Sequence, residues 1–280
     1  MATSKYVTAI GMIIVAVVAF AAGLVAGPII MPPSTAVDPV WDNITKTGII
    51  RAGTDPSWPP YESLDNVTNN IVGFEVDLMN AIASKLGKTV EWRSVGFDTI
   101  IPSVQSKELE IGVSGFSVTA ARLEVVQFTM PHSITRGQVI MLQSKKDSLG
   151  ITTLTSLTNL TTLGLYVGTQ QGTTEQDELR TAGVGSKIRA FNDYGAAITD
   201  MASASPTVDC VYAETPITSS WIAHYQAQGK AIAVIYDTPY YPVAFVANKD
   251  AHTFVAKING ALADIIAAGQ LDTLRTKWHA

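Results

Sequence analysis

A run of small and polar residues follows an apolar segment at residues 111–122 (IGVSGFSVTAAR). The apolar part predicts a strand, and Ser114 and Gly115 open a turn at its carboxyl end. Thr119 is a good N-cap for a short helix, and Arg122 falls in the first turn of that helix. A guanidinium, hydroxyl groups and the N–H groups of a helix start are donors that hold a carboxylate. The alternative is an ordinary strand–helix turn with a surface arginine.

Other predicted strands also end in residues with binding chemistry. Acidic residues, Asp55 and Glu214, follow strands predicted at 48–54 and 208–212. In open parallel α/β sheets, ligands bind where the carboxyl ends of the strands meet. The other members of the predicted ligand-binding set carry aromatic rings, hydroxyls, an amide or a free backbone; they are Trp58, Phe97, Ser114, Gly115, Phe116, Ser117, Arg122, Gln170, Thr173 and Thr174.

The charges of this set suit a free α-amino acid. A buried zwitterion needs a cation for its carboxylate and an anion for its ammonium, because unpaired buried charges are costly. Arg122 and Glu214 supply these charges, and Trp58 and Phe97 offer apolar faces to the ligand side chain. Asp55 is then one negative charge in excess. This excess favours a ligand side chain that is cationic or donates hydrogen bonds.

Each residue also has an ordinary structural explanation. Asp55 precedes a proline and is a turn residue in that reading, while the two aromatic residues belong to the core. Glu214 is a solvated acid favoured by a helix dipole, and Thr173 and Thr174 only cap a helix. All these residues lie at the same kind of position, the end of a predicted strand, and this favours a shared site.

Strands and helices alternate along the chain. The clearest helix is predicted at residues 73–87, where apolar residues recur every three or four positions. N-caps of later helices are predicted at Asp98, Asp193 and Thr215. A strand–helix order covers residues 48–122 and predicts a parallel sheet with helices on its faces. The same order restarts near residue 137, which predicts a second α/β domain.

Composition narrows the classes of function. The 280 residues carry a net charge of −5 without a Lys/Arg cluster, which argues against nucleic acid as a partner. The single cysteine, Cys210, excludes an internal disulfide and a cysteine metal cluster, and we predict a buried, inert thiol. The sequence predicts no cofactor, metal site or catalytic residue. Its histidines are scattered at His132, His224, His252 and His279.

The N-terminal segment indicates the compartment. Residues 6–37 contain no charged side chain, and residues 7–30 are almost wholly apolar. This length spans a bilayer as a helix, so we predict an uncleaved membrane anchor with a proline-rich linker to residue 43. The alternative is a signal peptide cleaved near Ala36, although Pro32 and Pro33 make that site a poor one. Either way, the rest of the chain faces outward.

Over about residues 46–278 the sequence resembles the type 3 solute-binding proteins of ABC amino-acid importers. Blocks in family-like order and spacing carry the resemblance; they are residues 53–62 (GTDPSWPPYE), 72–78 (VGFEVDL), 96–102 (GFDTIIP), 115–122, 167–174 and 209–214.

The resemblance implies a fold and a function. The fold is α/β and two-lobed, of the periplasmic-binding-protein-like type II, with two parallel-type sheets joined by a two-strand hinge behind an N-terminal transmembrane or signal helix. The implied divisions are an anchor and linker at 1–43, lobe one at 44–136 and 235–280, and lobe two at 137–234. The implied function is that of an extracytoplasmic monomer, not an enzyme. It would capture a polar or cationic amino acid and deliver it to an ABC transporter permease.

The resemblance further implies a role for each site residue. Arg122 would hold the α-carboxylate, helped by Ser117 and by Thr174 from the opposite lobe. Glu214, with the backbone near Gly115, would hold the ammonium group.

The ligand side chain would lie between Trp58 and Phe97, with Asp55 at its polar end. This sequence departs from the family pattern at Phe116, where an aliphatic residue is more usual. It departs again at Glu214, where aspartate is more usual, and at residues 130–131 (MP), where an acidic residue is expected. These departures bear on which ligand binds.

Two other classes compete with this interpretation. Some similar proteins are dehydratases of cyclohexadienyl acids, in which a cleft carboxylic acid donates a proton, a role open to Glu214. A sensor's ligand-binding domain is the other class, and the end of the chain at Ala280 without a second span disfavours it.

Overall fold

The structure, a computed structural model, describes residues 38–280. The predicted N-terminal membrane or signal helix lies outside the described residues. The helices within them are α1 (Pro39–Thr47), α2 (Phe74–Lys85), α3 (Phe97–Gln105), α4 (Ala120–Val125), α5 (Gln143–Ser148), α6 (Thr158–Thr162), α7 (Thr174–Thr181), α8 (Tyr194–Met201), α9 (Thr215–Ala227), α10 (His252–Ala267) and α11 (Gln270–Trp278), with a 3₁₀ turn at Gly185–Lys187.

The strands of the described residues are mostly short. They are β1 (Ile49–Thr54), β2 (Ser57–Trp58), β3 (Glu62–Leu64), β4 (Ile71–Val72), β5 (Thr89–Ser94), β6 (Ile111–Gly112), β7 (Gln127–Phe128), β8 (Ser133–Thr135), β9 (Gly137–Leu142), β10 (Val167–Gln170), β11 (Ile188–Phe191), β12 (Cys210–Glu214), β13 (Ile232–Asp237), β14 (Tyr241–Val243) and β15 (Val246–Ala247). A small three-stranded sheet joins β2, β3 and β4.

Two five-stranded sheets organise the described residues, and each belongs to one lobe. The first lobe's sheet has the order β5-β1-β6-β15-β7, and the second lobe's has the order β11-β10-β12-β9-β13. Parallel pairs lie at β1 with β5 and β6, and at β10 with β11 and β12. The sheets are mixed, because β15 in the first and β9 in the second pair antiparallel with their neighbours.

A two-stranded connection joins the sheets. Strands β8 and β14 pair antiparallel, with Thr135 opposite Tyr241 and Ser133 opposite Val243. The chain passes from β7 through β8 into the second sheet, and it returns from β13 through β14 to β15. The strand that pairs antiparallel with its neighbours in each sheet, β15 in the first and β9 in the second, therefore follows directly on a point where the chain crosses between the lobes. The lobe boundaries implied by the resemblance stay a prediction, and β13 continues past residue 234 to Asp237.

Helix α1 occupies residues that the sequence analysis places in a linker. Asp38 caps it, accepting hydrogen bonds from the N–H groups of Val40 at 3.0 Å and Trp41 at 2.9 Å. The other carboxylate oxygen of Asp38 accepts from the N–H of Phe254 at 3.0 Å and ties the helix start to α10. The sequence-based prediction places Pro39 in a linker, but Pro39 occupies the first position of α1, where a proline is favoured.

The helix predicted at residues 73–87 is observed as α2, and its buried side chains form part of the core. Phe74, Leu78, Met79 and Ile82 have no exposed surface, and α2 packs against α10 and α11. Cys210 is likewise fully buried, and burial raises the pKa of its thiol, as predicted for an inert cysteine.

Membrane-spanning helices were sought within residues 38–280. None of these helices is individually long and apolar enough to span a bilayer. Helices α10 and α11 meet the length and composition test only when taken together, across a bend of 81°.

Candidate functional site

A cavity lies where the strand ends of the two lobes face each other. Its wall contains every residue of the predicted ligand-binding set except Phe116 and Ser117. Three further residues line it that the sequence analysis did not identify: Ser57, Glu175 and Tyr194. Most of the residues predicted from the strand-end pattern therefore lie together around one cavity.

Arg122 is held in the cavity by its own lobe. The hydroxyl of Thr119 caps α4 as predicted, accepting from the N–H of Arg122 at 3.3 Å. One guanidinium nitrogen donates to the carbonyl oxygen of Ser117 at 3.1 Å. The guanidinium carbon lies 5.5 Å from the ring centre of Phe97 and 5.3 Å from that of Phe116. Desolvation lowers the pKa of Arg122, whereas the charge of Glu214 opposes this shift.

Phe116 supports this arrangement from behind. Its side chain is 1% exposed, and its ring stacks on Phe97 with 4.8 Å between the centres. The Phe97 ring, which lines the cavity, therefore lies between a buried aromatic residue and the space available to a ligand. Phe116 positions Phe97 and Arg122, whereas the cavity wall itself is formed by Phe97.

Glu214 is the last residue of β12, two residues beyond the predicted end of that strand. It also holds the N-cap position of α9, so Thr215 is the first helical residue and not the cap that the sequence analysis predicts. The hydroxyl of Ser117 donates to a carboxylate oxygen of Glu214 at 2.5 Å, across the cleft between the lobes. The Ser117 hydroxyl therefore contacts the predicted ammonium-binding acid instead of pointing beside Arg122.

Burial governs the ionisation of Glu214. The side chain is 7% exposed, so it is not the solvated acid of the structural alternative. Desolvation raises the pKa of Glu214 well above its ordinary value, and the negative charge of Glu175 raises it further. A cation placed beside it would favour the ionised form.

Asp55 lies across the cleft from Gln170. The amide of Gln170 donates to a carboxylate oxygen of Asp55 at 2.6 Å and to the carbonyl oxygen of Asn192 at 3.0 Å. The N–H of Asp55 donates to the hydroxyl of Ser114 at 3.1 Å. Burial raises the pKa of Asp55, with hydrogen bonds from Ser57 and Gln170 acting in the opposite direction.

Trp58 packs directly on the turn after β6. Its side chain is 6% exposed and lines the cavity. Gly115 has a φ of 58°, and a Cβ added there would lie 2.1 Å from the indole ring. A side chain at residue 115 would therefore displace Trp58 or the turn.

A buried polar network supports the same turn from inside the first lobe. The Ser114 hydroxyl donates to Glu62 at 3.0 Å, and the N–H of Gly115 donates to Glu75 at 3.0 Å. His132 bonds the other oxygen of Glu75 at 2.8 Å. Burial raises the pKa of Glu62 well above its ordinary value, and the neighbouring charge of Glu75 adds to the shift. The sequence analysis did not identify this network, since neither acid stands at a strand end of the main sheets.

The second lobe contributes the start of α7. Thr173 caps this helix, accepting from the N–H of Gln176 at 3.3 Å, and its hydroxyl donates to the carbonyl of Gln170 at 2.8 Å. Thr174 is the first helical residue and lines the cavity.

Glu175 and Tyr194 form a buried pair beside Thr174. The Tyr194 hydroxyl donates to a carboxylate oxygen of Glu175 at 2.8 Å. Burial raises the pKa of Glu175 to about 7. Tyr194 follows β11, a strand that the sequence analysis did not predict, so its position at a strand end was missed.

Hydrogen bonds across the cleft hold the lobes in a closed arrangement. The guanidinium of Arg122 donates to the carbonyl oxygen of Gly172 at 3.4 Å. The amide of Gln171 donates to Asp98 at 2.8 Å. Gly172 has a φ of 75°, and an added Cβ would lie 2.7 Å from the Cβ of Asp98. Asp98 therefore takes part in the lobe contact, and it is not the N-cap predicted from sequence, because Gly96 precedes α3 in that position.

The sequence profile of the family described as "Bacterial extracellular solute-binding proteins, family 3" matches residues 50–280. The chain belongs to this family. The resemblance seen in its sequence blocks is confirmed by a match that covers both sheets and the cavity between them.

Individual members of the family are similar over most of their length. The chain is 27% identical over 231 residues to the ABC transporter arginine-binding protein 1 of Escherichia coli (strain K12), covering 82% of this chain and 90% of that protein. An ancestral arginine-binding protein bound to arginine superposes with a TM-score of 0.73 at 27% identity, covering 83% of this chain and 99% of that one.

A second similar structure concerns the enzyme alternative. It is the ancestral amino acid-binding protein AncCDT-1, described as a precursor of cyclohexadienyl dehydratase. The two chains superpose with a TM-score of 0.72 at 26% identity, covering 85% of this chain and 98% of that one. These structures confirm the two-lobed amino-acid-binding fold.

Proposed function

We propose that this protein captures a free cationic amino acid, of the arginine type, in the cleft between its lobes and delivers it to an ABC transporter permease. The excess of carboxylates over cations in the cavity carries the proposal. Asp55, Glu175 and Glu214 line the cavity with a single guanidinium, that of Arg122. A ligand with two positive charges and one carboxylate offsets this excess to within one charge, whereas a ligand with a neutral side chain leaves two negative charges without a partner cation.

The head group of the ligand is assigned to residues from both lobes. Arg122 binds the α-carboxylate through its planar fork, with Thr174 at the start of α7 on the opposite side. Glu214 binds the α-ammonium group, and the Ser117 hydroxyl orients its carboxylate. Because the ligand's two opposite charges contact different lobes, binding stabilises the closed arrangement over an open one.

The side chain of the ligand is assigned to Asp55 and the aromatic rings. Trp58 and Phe97 both line the cavity, and both present apolar surface. Asp55 binds the distal cation, and Gln170 orients the carboxylate through its 2.6 Å hydrogen bond. Arginine-binding relatives support a ligand of this type.

Delivery follows from closure. A permease that recognises both lobes binds the closed form better than the open form, so it selects loaded protein. In this proposal the protein is a monomer on the outer face of the membrane, held there by its apolar N-terminal segment.

A calorimetric panel of the twenty amino acids with the purified full-length chain tests the proposal. We expect arginine and lysine to bind, with aspartate and glutamate giving no response at millimolar concentration. Binding confined to acidic or large apolar amino acids would refute the assignment of Asp55, and a panel without any response would refute the proposed function.

The dehydratase alternative retains one favourable observation. Glu214 is buried with a raised pKa, as a proton-donating acid requires. Cyclohexadienyl acids with two carboxylates carry excess negative charge, however, and the cavity wall carries the same sign. Incubation with prephenate, followed by its ultraviolet absorbance, distinguishes the classes: turnover would favour the enzyme.

A further inference from the structure

We propose that Glu175 acts with Glu214 as a paired anion for the ligand's α-ammonium group, and that ligand binding expels a proton from this pair to solvent. The inference rests on the proposed function and deepens it. It assigns a role to a residue that neither the strand-end pattern nor the resemblance singled out.

The position of Glu175 is unusual for an acid at a helix start. It is the second residue of α7, where a carboxylate is ordinarily solvated and favoured by the helix dipole. Here the side chain is 2% exposed and lines the cavity beside Glu214. Its hydrogen-bonding partner Tyr194 is also buried, at 3% exposed. An acid buried against a ligand cavity either keeps its proton or needs a compensating positive charge to ionise.

The charged and titratable groups that face Glu175 come from both lobes. The negatively charged groups include Glu178, on the same helix as Glu175, and Glu214, on β12. The tyrosines are Tyr194 on α8, Tyr212 on β12 and Tyr241 on β14. Among the described residues that face the pair, Arg122 on α4 supplies positive charge. The same guanidinium is needed for the ligand's carboxylate.

Two buried carboxylates therefore compete for one cation in the ligand-free site. Desolvation raises the pKa values of both acids, that of Glu175 to about 7, and the negative charge of Glu175 raises the pKa of Glu214 further. The pair retains a proton while the site is free. When an ammonium group enters, both carboxylates ionise to pair with it, and the proton moves to solvent.

The direction of the pH dependence follows from this exchange. The pKa of the pair is higher in the free protein than in the complex, so the complex binds fewer protons. Affinity for a cationic amino acid therefore rises with pH up to the pKa of the free pair and is flat above it. For one proton and a pKa near 7, the Kd should weaken about tenfold from pH 8 to pH 6.

Titration of L-arginine into the full-length protein, in two buffers of different ionisation enthalpy, measures the released protons directly. At pH 6 we expect nearly one proton per arginine bound, with the tenfold weakening of Kd relative to pH 8. Glu175→Gln preserves a hydrogen-bonding partner for Tyr194 but cannot ionise. It should release fewer protons per arginine bound than wild type and give a shallower pH profile, since Glu214 is then the only acid of the pair that can ionise. Asp177→Asn, on the exposed face of the same helix, is the matched control and should behave like wild type.

The outcomes separate this inference from the proposed function. Arginine binding without proton release, or an unchanged pH profile in Glu175→Gln, would overturn the inference and leave the proposed function standing. If Glu175 only accepts the hydrogen bond of Tyr194, then Glu175→Gln and Asp177→Asn should have the same pH profile of arginine binding. Absence of amino-acid binding would overturn both.

Discussion

Arg122 reaches the cavity with its orientation already determined by its own lobe. The Ser117 carbonyl and the Phe97 ring hold the guanidinium on one side, and its other terminal nitrogen donates across the cleft to the carbonyl oxygen of Gly172. A planar guanidinium can bind a carboxylate through two parallel hydrogen bonds. Lysine carries the same charge on a point donor and does not reproduce this geometry.

Replacement of Arg122 tests this assignment. We expect Arg122→Ala to weaken arginine binding at least about a hundredfold, because a buried carboxylate would lose its partner. Arg122→Lys should recover only part of the loss. Calorimetric Kd values check both changes. Arg180→Ala is the control, since Arg180 is an exposed residue of α7 that pairs with Asp177. An Arg122→Ala Kd within threefold of wild type would place the carboxylate elsewhere.

At the scale of elements, the turn after β6 connects the site to the buried network of the first lobe. Glu75 accepts from the N–H of Gly115, and Glu62 accepts from Ser114. The indole of Trp58 covers Gly115 so closely that only a glycine fits beneath it. The turn therefore sets the position of one aromatic wall of the cavity.

Two glycine variants separate this packing from backbone strain. Gly115→Ala should weaken arginine binding at least about tenfold, since the added methyl displaces Trp58. Gly183→Ala has a similar positive φ of 76°, but its added Cβ meets no atom within 4 Å. It should lower the free energy of unfolding by about 1 kcal/mol and leave the Kd unchanged. Denaturant titration and calorimetry on both variants provide the measurements; equal Kd values would contradict the role of the turn.

Elements with strong periodicity or clear end signals were predictable from the sequence. Helix α2 has buried residues at helical spacing, and the caps at Thr119 and Asp193 are both observed. Helix α1 was missed because prolines before it suggested a linker. Strand β11 was missed because its residues, IRAF, combine two exposed positions with two partly buried ones and lack a buried run.

Burial explains which site residues escaped prediction. Glu175 stands directly after Thr174, yet an acid at a helix start is ordinarily solvated, so its sequence position suggested no site. It is enclosed by the packing of α7 against β10, β11 and β12 and by Tyr194 at the start of α8, which donates a hydrogen bond to it. Ser117 and Phe116 were assigned to the cavity wall from their place in the turn. The hydrogen bond of Ser117 to Glu214 depends on how the two lobes close, whereas Phe116 stacks on Phe97 within the first lobe.

At the scale of the whole molecule, the closed cleft concentrates acids away from water. The pKa values of Glu62, Glu175 and Glu214 are all raised, with desolvation as the largest cause. A raised folded-state pKa contributes stability that is fully present below the unfolded value and is lost as pH rises through the folded value. The ligand-free protein should therefore lose stability between about pH 5 and pH 8.

Denaturant titrations of the ligand-free protein at pH 5 and pH 8 check this dependence. For Glu175, whose pKa moves from 4.5 to about 7, the contribution is on the order of a few kcal/mol. Glu175→Gln should reduce the loss of stability between the two pH values, and saturating arginine should reduce it in wild type. A wild-type stability that rises with pH, or a dependence unchanged in Glu175→Gln, would contradict the buried-acid account.

The central claim is that surplus negative charge in a closed, two-lobed cleft selects a cationic amino acid. Calorimetric comparison of L-arginine with L-citrulline, its neutral analogue of nearly equal shape, tests this claim most directly. Arginine should bind at least about tenfold more tightly than citrulline, and Asp55→Asn should narrow that ratio. Equal affinities for the two ligands, or tighter binding of citrulline, would contradict the account.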